Sequence, residues 1–360
     1  MELASDTKRP AAGEDSTLVG LDEIRAAAER IRPAARRTPL LDAPLVAPGA
    51  SSPGGVPAGK PGRIWLKCES LQHAGAFKLR GAFHFVAGLT PGERARGVLT
   101  YSSGNHAQAV AWVARAHGIP STVVMPVDAP RVKLEGTIRL GARVEQVGTT
   151  TLERKARAEE IAAAEGTVIV PPFDHPAIIA GQGTAGLELH EQLGEERLRR
   201  RGAEPPVGPL GLVLVPIGGG GLVSGVAAAV RALAPGARVV GVEPEGAPKM
   251  RRSLDAGHPV TLERIDTVAD GLKPVRPGDL TFAHVRALVD DVVLVDDEAI
   301  RAAVVWCHRR GLVVEPSGAA TVAALLSGRA AAPADAETCA VLSGGNVDPA
   351  LLVTWLRAAA

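Results

Sequence analysis

The sequence predicts a two-domain α/β protein in which parallel-rich sheets are flanked by helices. Three observations carry this prediction: a length of 360 residues, a series of short apolar segments, and Ala-rich helical patterns between those segments. A chain of this length exceeds the usual size of a single hydrophobic core. Strands that alternate with helices form parallel sheets covered on both faces.

The elements follow from local patterns. The first 16 residues are polar and predict a disordered arm that extends to residue 20. A helix is predicted at 21–31, and the Pro-, Gly- and Ser-rich segment 43–63 predicts a surface loop. Further helices are predicted at 106–118 and 152–166. Strands are predicted at 63–69, 97–102, 121–126, 142–147, 167–172, 212–217, 237–243, 291–296 and 339–344.

Composition argues against several classes of partner. Forty basic and 39 acidic side chains leave a formal charge of +1, which gives no electrostatic reason to bind nucleic acid or an acidic membrane surface. No segment approaches a membrane span, and the amino-terminal residues lack the apolar run of a secretory signal. Cys68, Cys307 and Cys339 are far apart and are predicted to be free thiols. Together these features predict a cytoplasmic protein.

A run of four glycines, Gly218 to Gly221, lies between a buried-type strand and a helix. Without Cβ atoms, several backbone amides can converge on one anion at the positive end of that helix, which predicts a phosphate cradle rather than a plain turn. A dinucleotide site is the rival interpretation, since Glu243 ends the next strand where a ribose-binding acid could stand. Its glycine spacing fails, because Val223 and Ser224 occupy the positions that need glycine.

Two further segments carry reactive or polar groups. Lys78 lies among small and apolar residues in 69–83, where desolvation would lower its pKa and make it an amine nucleophile; a surface lysine is the alternative. In 100–111 a strand ends in Ser-Ser-Gly-Asn-His before a helix. Such a loop can bind a carboxylate, or it can serve only as an N-cap turn.

Taken together, these segments resemble the β-family, or fold type II, of pyridoxal-phosphate (PLP) enzymes, within it the serine/threonine dehydratase and serine racemase group. The similarity runs from Arg37-Thr38-Pro39-Leu40-Leu41 to the Leu342–Asp348 segment and includes the segments around Lys78 and Asn105. It also includes 172–189, 218–222, 241–246 and 267–272. The resemblance implies a large PLP-binding domain of 21–96 and 174–360, with a small mobile domain of 97–173.

The resemblance also implies roles for individual residues. Lys78 would hold the cofactor as a Schiff base and exchange the substrate Cα proton, with Phe77 close to the ring. Asn105 would contact the ring hydroxyl and Ser343 the ring nitrogen. The phosphate would bind the main chain of a loop formed by Gly218, Gly219, Gly220, Gly221 and Leu222. The substrate carboxylate would bind Ser102, Ser103, Gly104, Asn105 and His106, with Arg154 as a further contact.

Several positions depart from the family pattern. Ala74 and Ala76 stand where relatives often carry hydroxyl side chains. Some relatives bind a divalent cation with residues that match Glu243, Ala247 and position 249. Lys249 occupies that position here, which predicts no metal site and makes Glu243 a hydrogen-bonding strand end. Pro274 stands in a loop that varies with substrate in relatives.

The implied reaction is β-elimination of L-threonine or L-serine to 2-oxobutanoate or pyruvate plus ammonia. An amino-acid racemase, or a dehydratase of a related 3-hydroxy amino acid, is the alternative, because Ser103 matches a position that is serine in racemases and commonly alanine in dedicated threonine dehydratases. The chain ends soon after Ser343, which predicts that it lacks a regulatory domain. Relatives are usually homodimers or homotetramers. A nicotinamide oxidoreductase or a non-catalytic module is disfavoured, since Lys78, Asn105 and Ser343 are all present.

Overall fold

A computed structural model describes residues 18–43, 63–102, 104–129, 131–201 and 207–359. The strands in these ranges form a six-stranded sheet of order β1-β2-β10-β7-β8-β9 and a four-stranded sheet of order β5-β4-β3-β6. Their bounds are β1 Leu40–Asp42, β2 Ile64–Lys67, β3 Val98–Thr100, β4 Ser121–Met125, β5 Arg143–Gln146, β6 Val168–Ile169, β7 Leu210–Pro216, β8 Arg238–Pro244, β9 Asp291–Val295 and β10 Glu337–Val341. Within these sheets only the β1–β2 pair is antiparallel.

Helices flank both sheets. Their bounds are α1 Leu21–Ile31, α2 Lys78–Ala87, α3 Pro91–Arg96, α4 Asn105–His117, α5 Arg131–Arg139, α6 Thr151–Glu165, α7 Pro176–Arg199, α8 Gly221–Leu233, α9 Lys249–Ala256, α10 Asp279–Leu288, α11 Asp297–His308, α12 Pro316–Leu326 and α13 Pro349–Ala358. Three-residue 3₁₀ helices lie at Glu69–Leu71, His73–Gly75 and Asp270–Leu272. Among the described residues, no helix has the length and apolar character needed to cross a bilayer.

The predicted α/β class is confirmed; the helix at 21–31 has the predicted bounds, and each other predicted strand and helix has a counterpart with slightly different ends. β1 was not predicted, because a strand of three residues is too short to show the alternation of apolar and polar residues. Residues 44–62 of the predicted loop, and 1–17 of the predicted arm, lie outside the described residues. At the end of that arm, Val19 is buried and its amide donates to His284 Nε2 at 2.8 Å, so the chain is packed there.

The strands of the smaller sheet all fall within 97–173, whereas those of the larger sheet fall outside that range. The division into two domains at these positions remains a prediction. Each sheet has its own buried apolar residues, for example Leu214 and Val242 in the larger one and Val123 and Met125 in the smaller one.

Helix α7 holds two helices close together through glycine contacts. A Cβ at Gly181 would lie 2.6 Å from the Cα of Gly81 in α2, and a Cβ at Gly225 in α8 would lie 2.3 Å from the Ile179 carbonyl oxygen of α7. Glycine at these positions therefore permits a helix separation that a side chain would prevent. The first residues of α2 and α8, Lys78 and Gly221, are both predicted site residues.

A buried ionic cluster fixes α2 against the sheet. The Arg80 guanidinium, fully buried, donates to both oxygens of Glu69 at 2.8 Å and to Glu188 at 2.7 Å. The Lys67 ammonium donates to the same Glu188 carboxylate at 2.7 Å. Burial acts to raise the pKa of Glu69, but the charge and hydrogen bonds of Arg80 outweigh it and hold this pKa below its usual range.

We expect Glu69→Gln to lower the free energy of unfolding by about 3–5 kcal/mol at neutral pH, because it removes one partner of a buried charge pair. Because the folded-state pKa of Glu69 is depressed, its contribution is present above the unfolded pKa of about 4.3 and is lost as the pH falls. Urea unfolding of the apoprotein would measure both effects. Glu159→Gln, in an exposed ion pair of α6, is the control and should change stability by less than about 1 kcal/mol. An equal change in both variants would contradict the prediction.

Candidate active site

Three adjacent parallel strands end at the same edge of the larger sheet. β2, β10 and β7 are neighbours, and the segments that follow them carry Lys78, Ser343 and the glycine loop Gly218–Gly221. In open α/β sheets, ligands bind in the crevice outside the carboxyl ends of the strands. Strand order therefore brings together three groups that are separated by more than 100 residues along the chain.

Lys78 lies at the first position of α2, directly after Phe77. Its ammonium donates to the Pro172 carbonyl oxygen at 2.5 Å and lies 5.1 Å from the centroid of the Phe77 ring. Burial lowers the pKa of Lys78 to about 8, since desolvation disfavours the charged form. Within the described part of the chain, no carboxylate forms an ion pair with this lysine.

The lysine segment is joined to the end of β10. Ala76 and Gly344 form an isolated antiparallel bridge, and the Phe77 amide donates to the Ser343 carbonyl oxygen at 3.1 Å. Ser343 is buried, and its hydroxyl lies 3.5 Å from the Ser317 carbonyl oxygen. These contacts fix Lys78 and Ser343 relative to each other through the backbone.

The glycine loop has no room for side chains. A Cβ at Gly219 would lie 2.2 Å from the Phe173 ring, and Gly220 has φ +103°, a conformation that favours glycine. The Thr281 hydroxyl donates a hydrogen bond to the Gly219 carbonyl oxygen at 2.7 Å. α8 begins at Gly221, so its positive end faces this loop, while the Leu222 side chain packs into the hydrophobic core. These features match an anion cradle made of main-chain amides.

Asn105 links α4 to the carboxyl end of the sheet. Its Nδ2 donates to Glu315 Oε1 at 2.5 Å, and its Oδ1 accepts from Asn346 Nδ2 at 2.8 Å. Asn346 Nδ2 also donates to the Ala74 carbonyl oxygen. Burial, reinforced by the charge of Asp270, raises the pKa of Glu315 to about 7. Asn105 is thus oriented by groups on both sides of the site.

The predicted carboxylate loop lies at the start of α4, and Ser103 lies outside the described residues. Ser102 Oγ accepts from the Gly104 amide at 3.3 Å. His106 is buried with Nε2 3.0 Å from the Val170 carbonyl oxygen, and burial, with the nearby Lys78, lowers its pKa to about 3. The imidazole is therefore neutral at physiological pH.

Arg154 is anchored to the backbone behind this loop. Its guanidinium donates to the carbonyl oxygens of Tyr101 at 3.4 Å and Thr149 at 3.2 Å and to the Thr151 hydroxyl at 3.1 Å. Tyr101 directly precedes Ser102, so Arg154 supports the backbone that enters the loop. A direct contact between Arg154 and substrate remains a prediction.

The structure brings together residues that the sequence analysis did not select. Glu315 contacts Asn105, the Pro172–Phe173 segment lies between Lys78 and the glycine loop, and Thr281 fixes the Gly219 carbonyl. One signal was available for Glu315, an acid flanked by the apolar Val314 and by a proline at the start of a helix. The Pro172 and Phe173 roles depend on tertiary packing and have no local signal.

Comparisons with known proteins agree with this geometry. The family model described as pyridoxal-phosphate dependent enzyme matches residues 31–344. The chain is 38% identical over 328 residues to the serine racemase of Schizosaccharomyces pombe, covering 91% of this chain and 94% of that protein. It is 41% identical over 326 residues to the L-threonine ammonia-lyase of Geobacter sulfurreducens, covering 90% of this chain and 75% of that protein. The solved structure of maize serine racemase aligns with a TM-score of 0.81 at 36% identity, covering 95% and 98% of the two chains.

The cofactor is therefore PLP, and the residues present fit it. Lys78 offers a buried amine that pairs with no carboxylate of the described residues. The glycine loop lies at the positive end of α8, and its backbone passes so close to Phe173 and Thr281 that no side chain would fit there. Asn105 and Ser343 offer polar groups on the neighbouring segments. We found no group of three or more His, Cys, Asp or Glu side chains suited to a metal in the described ranges, and the absence of a metal site remains a prediction.

We expect Gly219→Ala to weaken PLP binding by about tenfold or more, because the new Cβ would overlap the Phe173 ring and displace the cradle. Titration of the apoprotein with PLP would measure the dissociation constant. Gly236→Ala is a matched control, since a Cβ there meets no atom within 4 Å. Unchanged binding by the Gly219 variant would argue against phosphate binding at this loop.

We expect covalent attachment of PLP to Lys78 to accelerate with pH and to reach half of its maximum near pH 8, since burial sets the amine pKa there and only the neutral amine is a nucleophile. An ordinary lysine amine would follow a pKa of about 10.4. Dividing the rate of reconstitution at each pH by the rate at which PLP reacts with acetyl-lysine cancels the pH dependence of PLP itself. A ratio that does not vary between pH 7 and pH 10 would refute the lowered pKa.

Proposed function

The chain belongs to the family of pyridoxal-phosphate dependent enzymes, and from this premise we propose that it is an ammonia-lyase acting on L-threonine, L-serine or both. The products would be 2-oxobutanoate or pyruvate, with ammonia. The observation that carries the proposal is the convergence of Lys78, the glycine loop and Ser343 at one edge of the sheet, in a chain about 40% identical to a threonine ammonia-lyase.

When bound, PLP withdraws electrons from the substrate Cα and so makes its proton acidic. Lys78 would hold the cofactor and then accept the Cα proton, a role that suits an amine with a pKa of about 8 because its neutral form is far more populated near neutral pH than that of an ordinary lysine. The backbone amides of Gly218–Gly221 would hold the phosphate. Asn105, oriented by Glu315 and Asn346, would donate to the ring hydroxyl.

Ser343 would face the pyridine nitrogen. A serine hydroxyl can donate a hydrogen bond to a neutral ring nitrogen, whereas a carboxylate would favour the protonated nitrogen. A neutral nitrogen makes the ring a weaker electron sink. That property favours rapid loss of the β-hydroxyl once Lys78 has taken the Cα proton.

The substrate carboxylate would bind at the start of α4. The positive end of this 13-residue helix faces the Ser102–His106 loop. His106 is neutral and points to the Val170 carbonyl, so its contribution would come from the main chain. Arg154 would act by holding the backbone at Tyr101 in place. A carboxylate fixed in this way orients the Cα–H bond towards Lys78.

A racemase is the second candidate. The chain is 38% identical to the serine racemase of S. pombe, and Ser103 supplies a hydroxyl on the loop that we assign to the substrate carboxylate. If Ser103 exchanged a proton on the face of Cα opposite Lys78, the same site would form D-amino acid. Elimination and racemisation both begin with loss of the Cα proton, so one enzyme can catalyse both reactions.

We also propose a cytoplasmic homodimer or homotetramer that takes a small hydroxy amino acid. Cys68, Cys307 and Cys339 are buried free thiols, which supports a reducing compartment. The resemblance to dimeric and tetrameric enzymes supports the assembly. Sedimentation of the holoenzyme would distinguish a monomer from either oligomer.

We expect purified holoenzyme to release 2-oxo acid and ammonia from L-threonine or L-serine. Lys78→Ala should abolish this activity, a loss of about a thousandfold or more for removal of a residue that is both nucleophile and base. Mass spectrometry after borohydride reduction should place the cofactor on Lys78. Absence of 2-oxo acid from a panel of 3-hydroxy amino acids would overturn the ammonia-lyase assignment.

Ser103→Ala separates the two candidates. For a bifunctional enzyme we expect the variant to lose D-amino acid formation while elimination continues, because only Ser103 would serve the second face of Cα. Chiral chromatography and 2-oxo acid assays on the same samples would measure the two activities. If the wild-type enzyme forms no D-amino acid, the racemase candidate is rejected.

A further inference from the structure

A buried lysine other than Lys67 and Lys78 contacts the residue that precedes the glycine loop. Lys249, the first residue of α9, is fully buried, and its Nζ lies within hydrogen-bond distance of four oxygen atoms. These are Glu243 Oε1 at 2.8 Å and the carbonyl oxygens of Ile217 at 3.0 Å, Leu272 at 3.1 Å and Ala247 at 3.2 Å. We call these four atoms the oxygen cage.

The oxygen cage requires a positive charge. All four neighbours are hydrogen-bond acceptors, and an ammonium group can only donate, whereas a neutral amine would direct its lone pair at an oxygen. Glu243 supplies one negative charge, and its two oxygens also accept from the amides of Met250 and Arg251. The carboxylate is therefore fixed at the start of α9, and Lys249 is its charge partner.

The oxygen cage adjoins the phosphate cradle. Ile217 directly precedes Gly218, and because C=O and N–H point in opposite directions across a trans peptide, binding of the Ile217 carbonyl fixes the direction of the Gly218 N–H. The 3₁₀ helix that contains Leu272 also touches the loop, since a Cβ at Gly218 would lie 2.9 Å from the Gly271 carbonyl oxygen.

The same 3₁₀ helix is also connected, through Ser317, to Ser343, which we assign to the ring nitrogen of PLP. The Gly271 amide donates to Ser317 Oγ at 2.7 Å, and the Ser317 carbonyl oxygen lies 3.5 Å from Ser343 Oγ. One ammonium group therefore connects the segment before the cradle with the segment behind Ser343.

The geometry of the oxygen cage resembles the surroundings of a free cation. Its distances exceed the roughly 2.0–2.6 Å that Mg²⁺ and Ca²⁺ take to oxygen, and they suit a larger monovalent ion such as ammonium itself. We propose that Lys249 is a tethered cation: its ammonium group takes the place of a free monovalent cation in the oxygen cage and holds the glycine loop in its PLP-binding form. Lys249 is thus a positioning residue, separate from Lys78.

Lys249→Ala tests the proposal, with PLP affinity and the melting temperature of the apoprotein as readouts that do not depend on the substrate. In buffer containing only tetramethylammonium ions, we expect the dissociation constant for PLP to rise at least about tenfold. Ammonium, methylammonium or potassium ions, present from the preparation of apoprotein onward, should restore binding to within about threefold of wild type and raise the melting temperature. Wild-type protein should respond to none of these ions.

Three controls separate charge from packing. Lys249→Met fills the space without a charge, so it should bind PLP weakly and no ion should rescue it. The double variant Glu243→Gln/Lys249→Met removes both charges and still leaves the Ile217 and Leu272 carbonyls without an ammonium donor, so it should also bind weakly. Lys67→Ala removes another fully buried lysine, whose partners are Thr38, Glu188 and Gln192, and its PLP affinity should not depend on the cation.

Two results would overturn the proposal. Wild-type PLP affinity in Lys249→Met or in the double variant would show that the charge is not required. Loss of affinity in Lys249→Ala that no cation restores would show that Lys249 only fills space. If Lys249→Ala does not fold in any of these buffers, the double variant decides. Because these readouts concern PLP binding, their failure would leave the ammonia-lyase assignment to be judged by its own assay.

Discussion

The pairing of β2 with β10, and of β10 with β7, is the constraint on which the site depends. Because these three parallel strands are neighbours, their carboxyl ends lie side by side, and the residues that follow them reach one crevice. The bridge between Ala76 and Gly344 extends the pairing beyond the sheet and sets Lys78 against Ser343. A single amino-terminal strand and a single carboxyl-terminal strand thus position groups that lie 265 residues apart in the sequence.

Buried ion pairs of Arg80 keep the helix that carries Lys78 in this position. Arg80, two residues after Lys78, is held by Glu69 and Glu188, so the helix that carries Lys78 at its first position cannot shift without separating a buried ion pair. α7 contributes Glu188 and also packs through glycines on α2 and α8. The helices that begin at Lys78 and at Gly221 therefore both pack closely on α7, which fixes the separation between the lysine and the phosphate cradle.

Much of the fold followed from the sequence because its signals are local. Alternating apolar strands and Ala-rich helices predicted the parallel sheets, and the glycine run predicted a cradle, since both depend on neighbouring residues. Strand order, the exposed strand β1 and the contact of Phe173 with Gly219 had no local signal, because they depend on packing between distant segments. The assignments of Asn105 and Ser343 came from family resemblance. Glu315, which orients Asn105, was overlooked because its only local signal, an acid between Val314 and the proline that starts a helix, does not indicate its partner.

Lys78 and Lys249 show how the surroundings of a residue determine its chemistry. Both ammonium groups are removed from water, which lowers the pKa of each. Among the described residues, the Lys78 ammonium donates to a single carbonyl oxygen, so little opposes the loss of its proton. Lys249 has three carbonyl oxygens and the Glu243 carboxylate around its ammonium group, and the charge and hydrogen bond of Glu243 act against the lowering of its pKa. Lys78, with one oxygen acceptor, suits the role of an amine that loses its proton. Lys249, with four oxygen acceptors, suits the role of a cation that fixes the backbone of the glycine loop.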